Sequence, residues 1–135
     1  MSRMLARLAG VGAAALLVSK VIKVAERIDD PRRNDHIAKD ALDMLRLLRG
    51  SDIDSVAQVL SQARAGTLGT TDAALAAAIT VTVEQSLIIL GAEFSRQDAR
   101  GCAFAGRAAA GRDDPAVVAA SLAALAQRLL ARFPQ

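Results

Sequence analysis

Tryptophan and tyrosine are absent from this sequence, and phenylalanine occurs only three times. With so few rings to stack on bases, a single-stranded nucleic acid is a poor partner. Deep pockets with aromatic walls are equally out of reach, so any core must be aliphatic and finely packed. One cysteine, Cys102, excludes an internal disulfide. One histidine, His36, cannot make a histidine-based metal site without carboxylate help. A nucleophile–histidine–acid arrangement would have to draw its other members from distant parts of the chain. The Glu-x-x-His pattern of di-iron bundles is missing as well. No cofactor-binding or metal-binding constellation is expected, and the chain reads as non-enzymatic.

What the sequence has in abundance is alanine and leucine, both strong helix formers. Hydrophobic residues make up 53% of the 135 positions, which is too apolar for disorder and enough for one domain with a real core. The formal charge is +3, but it is unevenly placed. Residues 1–25 carry Arg3, Arg7, Lys20 and Lys23 and no acid, whereas the remainder holds 13 basic and 14 acidic residues. Such a distribution fits an anionic membrane surface better than a duplex-binding face.

The expected fold class is all-α: a long N-terminal hydrophobic helix over 1–28, then a compact bundle of about five helices over 35–135. Met4, Leu8, Val11, Ala15, Val18, Ile22 and Ala25 follow alternating spacings of four and three, a coiled-coil-like seam. Leu8–Val18 is apolar on every side, and a helix apolar all round is buried in protein or in lipid. The uncharged stretch Leu8–Ser19 is twelve residues long, short of the roughly 20 that a clean span needs. Spanning would require Arg7, Lys20 and Lys23 to reach the interface. A cleaved secretory signal is disfavoured, because Lys20 and Lys23 intrude where a small-x-small site should stand. Met4, Leu8, Val11, Ala15, Leu16, Val18 and Ile22 are therefore the expected membrane or partner contacts.

Asp29–Asn34 breaks the pattern around Pro31 and marks the expected hinge. Asp35 is placed to cap a helix over 36–49 burying Ile37, Ala41, Met44, Leu45 and Leu48. Ser51 and Asp54 have capping-box spacing ahead of a helix over 53–65 burying Ile53, Val56, Val59, Leu60 and Ala63. Residues 72–94 are the most hydrophobic segment of the body. Ile79–Val83 alternates like a strand, but length and flanking alanines favour a helix. Ser95 and Asp98 are spaced to open a helix over 95–110, where Gly101, Gly106 and Gly111 suit close helix packing better than a phosphate loop. Asp114 with Pro115 opens a last helix with the stripe Val118, Leu122, Leu125, Leu129 and Phe133.

Glu84 is the sole charge between Ala73 and Ala92, and it reads either as a buried acid or as part of a narrow solvent stripe. The primary functional expectation is a helical subunit or adaptor that attaches to a membrane or larger assembly through its N-terminal helix, partnered by protein or by itself. The alternative is a small DNA-associated regulator built on the 36–65 helix pair. There Arg32, Arg33, Lys39, Arg46, Arg49 and Arg64 are interleaved with seven aspartates that cancel the field. A helical enzyme using Glu84 ranks last.

Overall fold

The structure is a computed structural model that describes the backbone of residues 3–66 and 72–133, with side chains from Val11 onward. It contains α1 (Arg3–Arg27), a 3-10 turn (Pro31–Arg33), α2 (Asn34–Gly50), α3 (Ile53–Arg64), α4 (Ala73–Phe94), α5 (Arg100–Ala109) and α6 (Pro115–Leu130). No strand occurs among the described residues, and Ile79–Val83 is helical.

Aspartates start three of these helices. Asp52 accepts from the Asp54 amide, Asp72 from those of Ala74 and Leu75, and Asp114 from that of Ala116. Each satisfies amides that the first helical turn leaves open. Three expected caps are corrected. Asp35 lies inside α2, where Asp30 caps the preceding 3-10 turn instead. Asp52, not Ser51, caps α3. Ser95 closes α4 by bonding back to the Gly91 carbonyl, so α5 starts only at Arg100. Past α5 the chain turns at Gly111, whose φ of 89° is a left-handed conformation that glycine adopts without strain.

The core stripes of α2 and α3 contain every residue expected from the sequence. On α6, Val118, Leu122 and Leu129 are buried as expected and Phe133 follows them inside, while Leu125 is half-buried.

The N-terminal helix requires a larger correction. The long apolar helix of this chain is α4, 22 residues with a mean hydropathy of 1.8 over its most apolar window. Helix α1 is interrupted by Lys20, Lys23, Glu26 and Arg27, and its second half is part of the core. Ala14, Leu17, Val21 and Val24 are buried, one position away from the expected seam. Both seams have the same spacing, and an apolar surface on all sides leaves nothing in the sequence to choose between them.

Ion pairs fasten α1 to α2. The Lys20 ammonium lies 2.9 Å from Asp40 and 3.2 Å from Asp43, with Arg27 at 3.6 Å from the other oxygen of Asp40. The hydrogen bond to Asp40 holds Lys20 above its ordinary range. Half of the described basic charge expected to meet an anionic membrane is thereby engaged within the bundle.

Helix α5 approaches its neighbours closely because it carries glycine at two contacts. A Cβ at Gly101 would stand 2.2 Å from the Phe94 ring, and one at Gly106 would stand 2.7 Å from the Pro115 carbonyl oxygen. The second obstacle is backbone and cannot rotate aside. Gly106→Ala is expected to lose about 1–2 kcal/mol, because overpacking outweighs the gain in helix propensity. Gly12→Ala has nothing within 4 Å of the new methyl and should gain about 0.5–1 kcal/mol. Urea denaturation of both variants checks the pair. Equal stabilisation at the two sites would mean that α5 and α6 are not in such close contact.

Candidate docking face

The inner side of α4 contributes Val83, Ser86, Leu90 and Phe94 to the core. Ser86 donates its hydroxyl to the Val83 carbonyl, which removes the cost of its burial. The outer side has no such cover. Leu75 is 50% exposed, Val81 53% and Ile88 71%, with Ala74, Ala77, Ala78 and Ala92 around them. Only 17% of the most apolar window of this helix is buried. Scattered exposed aliphatics are ordinary on a protein surface, whereas here they are gathered on one side of a single helix.

Beside this band runs an apolar groove of about 480 Å³ between α1, α3 and α4. Val59, Leu60 and Ala63 of α3 line one part, with Val11 and Val18 of α1 and Leu75 and Ile79 of α4 completing it. The hydroxyls nearby are satisfied within the bundle. Thr82 donates to the Ala78 carbonyl at 2.9 Å, while Thr80 bridges the carbonyls of Ala76 at 3.1 Å and Ala63 at 3.2 Å. Among the described residues no titratable side chain lines the groove. Such walls can hold apolar matter, but they offer no group for moving a proton.

The residues expected as contacts divide along this surface. Val11, Ala15 and Leu16 are exposed, and Val18 and Ile22 are half-buried. Val11, Ala15 and Val18 line the groove. The side chains of Met4 and Leu8 lie outside the described residues. Glu84 is exposed, so of its two readings the buried acid gives way to the solvent-facing one, with Gln85 exposed beside it. Its position on the outer side of α4 removes the desolvation cost that made it conspicuous in the sequence.

The 36–65 pair does not offer a basic reading helix. Helix α3 exposes Asp54, Gln58 and Ser61, and Arg64 lies over the Phe133 ring at 5.1 Å. Asp54 is paired with Arg132. Basic residues do gather on the outer side of α2: Lys39 and Arg46 face Arg107 and Arg112 across a cleft with Asp35. Sequence reading missed this cleft because its two halves lie far apart in the chain. Arg46 is 3.6 Å from Asp43, and Arg107 stacks over Phe104 at 5.0 Å. Among the described residues no three histidine, cysteine or acidic side chains come close enough to hold a metal ion.

The chain matches no family model, and no curated protein or solved structure matches it either.

Proposed function

We propose that this protein is a non-enzymatic helical subunit that joins a larger assembly through the apolar face of α4 and the exposed side of α1 at Val11, Ala15 and Leu16. The observation that carries this reading is the outer side of α4, where Leu75, Val81 and Ile88 stand in solvent on a helix with one charge in twenty residues. Attachment thus moves from the N-terminal helix alone, as the sequence suggested, to a face centred on α4.

A protein partner suits this face better than lipid. Interfacial helices carry lysine and arginine on their polar side, and α4 has neither between Ala73 and Phe94. Spanning a bilayer would pull Leu90 and Phe94 out of the core and place Glu84 and Gln85 in hydrocarbon. Small side chains such as Ala74, Ala78 and Ala92 instead let a second helix approach closely.

The test places a benzophenone side chain at position 81 or 88 of the full chain in cells, with position 58 on α3 as control. Discrete adducts are expected from 81 and 88, lost when Leu75 is also changed to lysine, and none from 58. Equal or absent labelling at all three positions would overturn the docking reading.

A further inference from the structure

Along α2 the sequence interleaves basic residues with aspartates, so that the charges cancel on paper. The fold separates them. Asp40 turns inward to α1, where Lys20 and Arg27 meet its charge. Asp43 is shared between Lys20 and Arg46. Lys39 and Arg46 line the cleft beside α5, with Arg107 and Arg112 on its other wall. Four cations and one acid, Asp35, thus surround about 360 Å³ of space.

Most of this charge is left without a counter-charge. The side chains of Lys39 and Arg112 make no ion pair among the described residues. Arg107 stacks over Phe104, a contact that holds the guanidinium in place without neutralising it. Arg46 has a 3.6 Å contact with a carboxylate that Lys20 already engages. Like charges gathered in one cleft repel one another, and a bound anion relieves that repulsion.

The shape of the cleft narrows the choice of anion. Membranes and duplexes meet cations spread over a broad face, whereas these stand on two facing walls. Lys39 and Arg46 are seven residues apart on one helix, about 10 Å along its axis. A single phosphate cannot lie against both stems, but a short chain of phosphoryl groups can. Three of the four cations are arginines, whose forked donors match phosphate oxygens. We propose that this cleft binds a compact polyphosphate, either free or carried by a nucleotide. It shares no residue with the groove beside α4, so the inference stands apart from the docking reading.

The experiment is titration calorimetry of the full chain with inorganic triphosphate at low ionic strength, where screening is weakest. One triphosphate per chain is expected to bind, with orthophosphate weaker by at least about tenfold. Lys39→Gln combined with Arg112→Gln should weaken triphosphate by more than about tenfold. Both side chains are exposed, so the unfolding temperature without ligand should not fall. Arg96→Gln combined with Arg128→Gln removes the same charge outside the cleft and should change affinity less than about twofold. Asp35→Asn, which removes the acid from the lining, should tighten binding. Adenosine triphosphate titrated in parallel separates the two sources. Tighter binding than inorganic triphosphate assigns a nucleotide, and equal or weaker binding assigns a free polyphosphate. No saturable uptake of triphosphate, or an equal loss in the two double variants, overturns the proposal. Duplex DNA or anionic vesicles that bind the chain and are not displaced by triphosphate overturn it as well.

Discussion

Removing residues 1–28 is expected to abolish cooperative folding. Leu17, Val21 and Val24 are each at most 2% exposed, and they belong to one core cluster with Ile37, Met44 and Leu60. Burying side chains of this size is worth about 1.5–3 kcal/mol each. Deleting three of them, and uncovering the surfaces they face on α2 and α3, removes a large share of a stability that is typically about 5–15 kcal/mol. The ion pairs from Lys20 and Arg27 to Asp40 go at the same time. Thermal unfolding by circular dichroism should lose its sharp transition, and the product should bind a hydrophobic dye. Point changes refine the result. Leu17→Ala should cost about 2–5 kcal/mol. Its neighbour Leu16, 55% exposed, should tolerate alanine within about 0.5 kcal/mol. A truncated chain that melts cooperatively would show instead that α1 is a separable attachment helix, divided from the body at Pro31.

That contrast shows where sequence periodicity carries structural information and where it does not. On α2 and α3 a polar face gives the pattern a phase, so Ile37, Ala41, Met44, Leu45 and Leu48 could be placed inside residue by residue. On α1 and α4 apolar residues surround the axis. Their helical state was legible, but their orientation was not, because rotating either helix by one position presents an equally apolar face. Orientation there follows from long-range partners: Asp40 drawing Lys20, and Phe94 filling the space beside Gly101. The exposed side of α4 could not be read from the sequence for the same reason. Nothing local distinguishes Val81, which is exposed, from Val83, which is buried. For Glu84 the sequence left two environments open, a buried acid or a narrow solvent stripe, because a charge in an apolar run fits either until the orientation of the helix is known; the carboxylate is exposed. The caps slipped by a residue or two wherever several aspartates and serines competed for one helix start, as at Ser51, Asp52 and Asp54.

Stability should fall steeply between pH 9 and pH 10.5, and Cys102 should be the cause. The thiol is wholly buried and donates to the Phe94 carbonyl at 3.4 Å. Burial penalises the thiolate and pushes the pKa up from 9.0 to about 12. In the unfolded chain the thiol ionises near its ordinary value. Above pH 9 the unfolded state therefore binds fewer protons than the folded state, and stability falls as pH rises. The slope approaches about 1.4 kcal/mol per pH unit and ends once the folded thiol also ionises. Lys20 acts in the same direction at higher pH. Its folded pKa is raised above 10.5, so the stability it contributes is complete below that value and lost as pH climbs through the raised one. The window from 9 to 10.5 therefore isolates the cysteine, helped by the absence of any tyrosine to titrate there. Urea denaturation at half-unit steps should show the decline in the wild type and a nearly flat profile in Cys102→Ala, whatever the baseline cost of that change. The same burial should keep the folded thiol unreactive toward an aromatic disulfide at pH 8 until denaturant is added. Rapid stoichiometric labelling of the native chain, or a parallel decline in Cys102→Ala, would show that α5 does not hold Cys102 in a closed core.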